Sequence, residues 1–261
     1  MLAPRIALPT AACNLPIRQA IDAVGNSGAS GVMFDLRDEV KQQELGETGR
    51  RQLLHYLQER DLKLGACTFN LRRSLVDPEL LDARIDAVKQ AMSFAWELGS
   101  RVLTLRLGQL PATDDAAAQD QLRFILRDLA GHANRVGVVP TFMTSADPTV
   151  LAGLLNEIKE GPLGIEADPA ALVLARRSPT DWMRELHSFI EHIQIRDAMR
   201  DVGGLGKEVA IGRGEVDWDE VAAMLQEMEY RGWLTVIRNT GDDPVADMTR
   251  GVKYLKSLLL M

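Results

Sequence analysis

Short apolar runs alternate with longer amphipathic segments along the whole chain. Runs of this length that carry apolar side chains on both faces are typical of buried parallel strands. The pattern predicts eight strands: Arg5–Pro9, Gly31–Leu36, Lys63–Phe69, Arg101–Leu107, Val138–Met143, Leu163–Ala167, His192–Ile195 and Trp233–Ile237.

The segments between these strands carry apolar residues at helical spacing. Residues 79–98 predict one such helix, with Asp77 as its N-cap and Pro78 as its first residue. Asp217 and Glu220 predict a capping box at the start of another helix. The apolar stripe predicted for the last helix consists of Met248, Val252, Leu255 and Leu259.

Eight alternating strand and helix segments favour one closed (β/α)8 TIM barrel over an open doubly wound sheet. A length of 261 residues is ordinary for a single α/β domain of this kind. We therefore interpret residues 1–261 as one barrel domain. Residues 114–118 predict a loop that leads into a helix around Leu122–Ala130. We expect the four tryptophans to pack in the core or between helices, namely Trp96, Trp182, Trp218 and Trp233.

Charge and cysteine content narrow the class of protein. The net charge of -7 argues against binding to nucleic acid or to an anionic membrane, because both need a basic face. No apolar stretch approaches the roughly 18 residues that span a bilayer, and no leader is expected. Cys13 and Cys67 are too few for a disulfide framework or a cysteine-rich zinc site. We expect a cytoplasmic protein and leave its oligomeric state open.

The most specific motifs follow residue 138. Residues 192–197 are His-Ile-Gln-Ile-Arg-Asp, residues 212–217 are Gly-Arg-Gly-Glu-Val-Asp, and residues 230–237 are Tyr-Arg-Gly-Trp-Leu-Thr-Val-Ile. They resemble the xylose-isomerase-like barrels, which include sugar phosphate isomerases, epimerases and family 2 AP endonucleases. In that family the three corresponding motifs are roughly His-x-His-x-x-Asp, Gly-x-Gly-x-x-Asp and Tyr-x-Gly-Trp-x-x-x-Glu. The resemblance implies a xylose-isomerase-like fold with its site at the C-terminal ends of the strands.

The resemblance also implies four metal ligands, namely Glu, Asp, His and Glu on the last four barrel strands. Such a set suits Mn, Mg, Co or Zn. The motifs place Met143, Asp168, Gln194 and Ile237 at these positions, or Thr144 in place of Met143 if the alignment shifts by one. Only Asp168 is a family ligand, and neither Met nor Ile replaces a carboxylate at a hard-metal site. We therefore expect no cofactor.

Polar residues near the strand ends supply the candidate ligand site. Period-two alternation places Glu166 with Asp168 on one side of a strand, and Gln194 with Arg196 on the same side of the next. A carboxylate inside the barrel mouth needs a cation, so we predict contact between Asp168 and Arg196. The candidate ligand-binding residues are Arg106, Asp168, Gln194, Arg196 and Arg238, with Arg72 and Arg73 as further arginines that gather near the mouth.

An alternative assigns these arginines a structural role. They would then pair with Asp35, Asp168, Asp197 and Glu208 in a network at the barrel rim. His192 is expected to be hydrogen-bonded and structural. The glycine-rich residues 203–206 lack the Lys-Ser/Thr of a phosphate loop and predict only a loop.

Two classes of function fit the sequence. The first is a non-catalytic relative that binds a small polar or anionic carbohydrate-type ligand. The second is an active isomerase or epimerase. It would use either a relocated metal held by Glu166, Asp168 and Glu208, or metal-independent chemistry with Glu166 or Asp168 as base and Arg196 as electrophile.

Overall fold

Eight parallel strands close into a barrel in the computed structural model of the protein, which describes residues 4–201 and 206–259. The strands follow one another around the barrel in chain order, and the last pairs with the first. The predicted (β/α)8 fold is therefore confirmed. The barrel strands are β1 (Arg5–Pro9), β2 (Gly31–Asp35), β3 (Lys63–Thr68), β4 (Val102–Arg106), β5 (Val139–Met143), β6 (Gly164–Ala167), β7 (Ile190–Ile195) and β10 (Trp233–Val236).

Helices surround the barrel and one small hairpin stands beside its mouth. The hairpin strands are β8 (Asp197–Met199) and β9 (Lys207–Val209), which pair antiparallel. Residues 203–205 of the predicted glycine-rich loop lie outside the described residues. The helices are α1 (Ile17–Ser27), α2 (Glu47–Gln58), α3 (Leu81–Glu97), α4 (Ala116–Val136), α5 (Pro148–Glu157), α6 (Pro169–Leu174), α7 (Pro179–Leu186), α8 (Trp218–Glu227) and α9 (Pro244–Leu259).

None of the helices in the described part of the chain combines the length and the apolar character that a membrane crossing requires. The helices instead bury one face each against the barrel, as the apolar stripes predict. In α9 the buried face includes Met248, Val252 and Leu255. The Val236 side chain of β10 lies against Gly251 of the same helix, which places Val236 on the outer side of the barrel wall.

Trp233 fills the N-terminal end of the barrel. Its ring crosses β1 to lie over Gly31, where a Cβ atom would come within 2.5 Å of the ring carbon Cζ3. Glycine is therefore required at residue 31 for this packing. Since the interior is filled at this end, ligand access is expected at the opposite, C-terminal end, as is usual in this architecture.

Two predicted helix starts differ from the structure. Helix α3 begins at Leu81, not at Pro78, because Asp77 Oδ1 accepts a hydrogen bond from Glu79 N at 2.9 Å and closes a local turn instead. Helix α4 begins at Ala116, so the predicted loop at 114–118 is wrong for its last three residues. Alanine is the strongest helix former, and Asp115 caps this helix through Ala118 N.

Two further local predictions have opposite outcomes. The predicted N-cap of α8 is confirmed, because Asp217 Oδ1 accepts from Glu220 N at 3.0 Å. The prediction for Trp96 is wrong, since this side chain is 61% exposed, whereas Trp182 and Trp218 are buried as expected. Trp96 lies one residue past the buried Ala95, and one residue rotates a helical position by about 100°.

Candidate functional site

The four positions that the resemblance assigns to metal ligands lie at the C-terminal mouth of the barrel. Met143 ends β5, Asp168 directly follows β6, Gln194 lies near the end of β7, and Ile237 directly follows β10. Gln194 Nε2 lies 3.7 Å from Met143 Sδ. The placement of Asp168, Gln194 and Ile237 at the mouth agrees with the sequence prediction.

Asp168 is bound to Arg196, which confirms the predicted contact. Arg196 Nη1 donates to Asp168 Oδ2 at 2.6 Å, and Asp168 Oδ1 accepts from Ala171 N at 3.1 Å. The second contact makes Asp168 the N-cap of α6. The Asp168 side chain is only 3% exposed and the Arg196 side chain 22%, so this ion pair lies largely out of water.

The same guanidinium holds a second carboxylate. Arg196 Nη2 lies 3.0 Å from Glu208 Oε2 on the hairpin strand β9. Glu208 also accepts from Arg238 Nη1 at 3.4 Å and from Asn239 N at 2.8 Å, and Arg238 Nε donates to Asp247 Oδ2 at 3.0 Å. This rim network ties the loops after β6, β7 and β10 together. It supports the structural interpretation for Arg196 and Arg238.

Asp35 does not join that network, so its predicted arginine partner is wrong. Asp35 Oδ1 accepts from the backbone amides of Arg37 at 2.8 Å and Asp38 at 3.2 Å, and Oδ2 accepts from Asn70 Nδ2 at 3.1 Å. A short carboxylate at the end of a strand reaches the amides of its own turn before it reaches a distant guanidinium.

Asp197 also lacks the predicted arginine partner among the described residues. Its carboxylate is buried and accepts from five donors: Ala198 N at 2.9 Å, Gly212 N at 2.9 Å, Gly214 N at 2.9 Å, Val216 N at 3.3 Å and Trp218 Nε1 at 3.2 Å. A side chain at residue 214 would overlap this carboxylate. The motifs at 192–197 and 212–217 are therefore one structural unit, a contact that the motif spacing does not predict.

Three buried polar side chains form a hydrogen-bonded chain inside the barrel. His192 Nδ1 lies 2.7 Å from Glu166 Oε1, and His192 Nε2 lies 2.7 Å from Thr235 Oγ1. Glu166 is 1% exposed and the other two are fully buried. The expectation of a hydrogen-bonded His192 is confirmed, whereas the partner Thr235 was not predicted. Glu166 thus lies below the mouth and faces the imidazole.

The remaining arginines divide into paired and unpaired ones. Arg106 ends β4 beside Met143, is exposed, and forms no hydrogen bond or ion pair with any described residue. Arg73 pairs with Asp77 at 3.2 Å and Glu79 at 2.8 Å. Arg72 faces Asp38 at 3.9 Å. Arg72 and Arg73 each have a carboxylate close by, in the loops after β2 and β3, and their gathering with the mouth arginines stays a prediction.

Burial and charge act on the Asp168 carboxyl in opposite directions. Burial raises the pKa of Asp168, and the nearby Arg196 guanidinium and the Ala171 amide oppose that rise. The two carboxylates around Arg196 raise the pKa of the guanidinium against the effect of its burial. Arg196 therefore stays cationic, and Asp168 holds its proton more tightly than a free aspartate does.

The mouth does not fit a hard divalent cation. Met143, Gln194 and Ile237 present a thioether, an amide and a hydrocarbon, and Asp168 is neutralised by a guanidinium. Within residues 4–201 and 206–259, no three His, Cys, Asp or Glu side chains are grouped so as to hold a metal. The arrangement can hydrogen-bond a polar ligand, and Arg106 can attract an anionic one.

Comparisons with known proteins agree with this architecture. A family model described as a xylose isomerase-like TIM barrel matches residues 21–258. The structure resembles a xylose isomerase domain protein from Planctomyces limnophilus with a TM-score of 0.86 and 19% identity, over 98% of each chain.

Two further structures have a TM-score of 0.78. D-psicose 3-epimerase from Clostridium cellulolyticum H10, solved with D-tagatose, is 12% identical over 98% of this chain and 99% of its own. A xylose isomerase-like TIM barrel protein from Mycobacterium smegmatis, solved in complex with magnesium, is 15% identical over 99% and 98%. At these identities the likeness shows the fold alone. No curated protein matches the sequence.

Proposed function

Because the chain belongs to the xylose isomerase-like TIM barrel family, we propose that it binds a small polar or anionic carbohydrate-type ligand at the barrel mouth. We propose further that it does so without a metal cofactor and without the metal-dependent isomerisation that the resemblance implies. In a metal enzyme of this kind, the cation polarises a carbonyl or hydroxyl of the sugar. Met143, Gln194 and Ile237 offer no donor set for such a cation.

The observation that carries this proposal is the position of Arg196. Its guanidinium lies between Asp168 and Glu208, at 2.6 Å and 3.0 Å from the two carboxylates. An internal cation thus already compensates the carboxylate that the resemblance assigns to a metal. A metal at this place would have to displace Arg196 and leave its charge partly buried without a partner, which is costly.

Arg106 is the ligand anchor of the proposal. Arg196 and Arg238 are each bound to two carboxylates, whereas Arg106 is exposed and unpaired among the described residues. A guanidinium that is free of internal partners can bind a carboxylate or phosphate through two parallel hydrogen bonds. Gln194, Asp168, Arg196 and Arg238 would then supply donors and acceptors for the hydroxyl groups of the ligand.

A thermal-shift panel with neutral sugars, sugar acids and sugar phosphates, each with and without divalent metal, tests the proposal. Anionic ligands should stabilise the protein independently of metal, and Arg106→Gln should remove that stabilisation. Arg51→Gln, on the exposed face of α2, is the matched control. Metal-dependent stabilisation together with measurable isomerisation would show that the proposal is wrong.

A second candidate function uses the buried Asp168 carboxyl, which lies 2.6 Å from Arg196 Nη1 and whose pKa is raised by burial. Such a carboxyl group could transfer a proton, and Arg196 would stabilise a developing oxyanion. Epimerase activity with a pH–rate profile that Asp168→Asn abolishes would favour this candidate. The relocated metal site has weaker support, since Glu166 is bound to His192 while Asp168 and Glu208 are bound to Arg196.

Location in the reducing cytoplasm is part of the same proposal. Cys13 and Cys67 are both buried and unpaired, and burial raises the pKa of their thiols to about 11 and about 12. Such thiols are poor nucleophiles and stay reduced. Neither cysteine is therefore a candidate for covalent chemistry.

A further inference from the structure

A cleft of about 420 Å³ opens beside the barrel mouth, away from the rim network. The loop after β2 forms one wall, the loop after β3 forms the other, and α3 forms the floor. The floor on α3 consists of Ala87, Gln90, Ala91 and Phe94, so three of its four side chains are apolar. The volume lies within the range of small-molecule sites, and the mostly polar lining favours a polar or charged ligand.

The rim of the cleft is basic although the protein is acidic. Arg37, Lys41 and Arg72 line it together with Asp38, and Glu44 lies beside Lys41, so three cations face two carboxylates here although the whole chain carries a net charge of -7. A concave surface with a positive charge concentrates anions from solution.

Arg37 contacts Phe69 and Asp35, but its guanidinium has no ionic partner among the residues that the structure describes. Its guanidinium stacks 5.4 Å from the centroid of the Phe69 ring, and its backbone amide is fixed by Asp35. The guanidinium forms no hydrogen bond or ion pair with any residue in the described parts of the chain. Its five donors are therefore available in a nearly fixed orientation, which lowers the entropic cost of binding an anion.

The other two cations have only weak partners. Arg72 lies 3.9 Å from Asp38, and Lys41 lies 2.9 Å from Glu44, and all four side chains are at least 40% exposed. Exposed pairs of this kind contribute little to stability. A ligand anion can therefore exchange with these carboxylates at small cost.

We propose that this cleft is a second binding site, for a small organic anion. The carboxylate or phosphate group of the ligand lies between Arg37 and Arg72, with Lys41 nearby, and its body lies against Phe69 and the floor of α3. The site is distinct from the mouth site, whose anchor is Arg106. Each site has its own arginine without an ionic partner in the described parts of the chain, so the two can be inactivated separately.

An NMR titration of the ¹⁵N-labelled full chain tests the proposal. The probes are glucose 6-phosphate and glucuronate, with glucose as the neutral match. Either anion should shift the amide resonances of residues 36–43 and 69–72 in a saturable way, and glucose should not. The double substitution Arg37→Gln and Arg72→Gln should weaken this binding by about tenfold or more, since each loss removes a charge-assisted hydrogen bond.

Three further variants make the test specific. Arg106→Gln and Arg51→Gln should leave the shifts at the cleft unchanged. Asp38→Asn removes the competing carboxylate and should tighten binding by about two- to fivefold. Shifts confined to the mouth residues would overturn this inference and leave the mouth proposal standing. The inference would also be overturned if the double substitution left the cleft shifts unchanged. The same holds if neither anion shifted the amide resonances of residues 36–43 and 69–72.

Discussion

The guanidinium of Arg196 donates to the carboxylate of Asp168 over 2.6 Å, from the neighbouring strand of the barrel. Asp168 is the residue that the resemblance assigns to a family metal ligand, and it is bound to a cation that the chain itself supplies. The same cation holds Glu208 on the hairpin. The mouth thus combines a compensated charge network on one side with Arg106 on the other, which has no hydrogen-bond or ion-pair partner among the described residues.

Arg196→Met should destabilise the protein by about 2–4 kcal/mol, because it leaves two buried carboxylates without their shared cation. The value is below that for a fully buried pair since the Arg196 side chain is 22% exposed. Urea denaturation of both proteins measures the difference.

A charge-free variant separates the loss of pairing from the loss of packing. Adding Asp168→Asn and Glu208→Gln to Arg196→Met removes the two carboxylate charges that Arg196 compensates, and most of the lost stability should return. If the triple substitution is as unstable as Arg196→Met alone, the network stabilises the mouth through something other than its charges.

Asp197→Asn should destabilise the protein by about 2–4 kcal/mol, because an amide donor would face five donors that now share two carboxylate oxygens. Thermal unfolding measures the effect. Asp86→Asn on the exposed face of α3 is the matched control and should stay within about 0.5 kcal/mol. Equal melting temperatures for the two variants would contradict the assigned role of Asp197.

Periodicity and motifs predicted the barrel because both depend on neighbours in sequence. All eight barrel strands lie where the apolar runs predict them, to within one or two residues at their ends, and Asp168 meets Arg196 through the side-chain alternation of adjacent strands. Motif spacing also located Asp197 and Gly214 without revealing that the two are in contact.

Partners that depend on exact three-dimensional position were not predictable in this way. Thr235 reaches His192 across the β7–β10 pair, and no local pattern distinguishes it from an ordinary strand threonine. Asp35 accepts hydrogen bonds from the amides of its own turn and not from an arginine, because the conformation of the loop determines that contact. Arg37 and Arg106 likewise lack a hydrogen-bond or ion-pair partner among the described residues, and no local pattern in the sequence predicts this.

Glu39 should make stability fall as pH rises through the acid range. Burial raises its pKa above the ordinary value of 4.5, and the hydrogen bond from Thr10 only partly opposes this. Between 4.5 and the folded-state pKa, the folded chain holds a proton that the unfolded chain has released. Stability from this group is therefore fully present below 4.5 and is lost as pH rises through the folded value.

Glu39→Gln removes this titration while keeping an oxygen that accepts from Thr10 Oγ1, which lies 2.7 Å from the carboxylate. Unfolding free energies of both proteins, measured by denaturant from acid to neutral pH, should show the wild type losing stability relative to Glu39→Gln as pH rises. A constant difference across that range would contradict the raised pKa.

Restoring the missing donors should create a metal site. The variant with Met143→Glu, Gln194→His and Ile237→Glu supplies, together with Asp168, the four ligands that the resemblance implies. We expect one Mn, Co or Zn per chain by elemental analysis, and none in the wild type. Metal at about 100 times its dissociation constant would add about 2.7 kcal/mol to the variant's stability, or roughly 5–10 °C in melting temperature.

Asp168→Ala in that background should abolish the uptake, which shows that the metal uses the mouth. Arg196→Met should strengthen it, because the guanidinium that competes for Asp168 is gone. If the restored variant takes up no metal even with Arg196→Met, then Met143, Gln194 and Ile237 do not stand at the ligand positions. If the wild type itself holds a full equivalent that Asp168→Ala removes, the metal-free mouth is wrong, and isomerase chemistry becomes the better proposal.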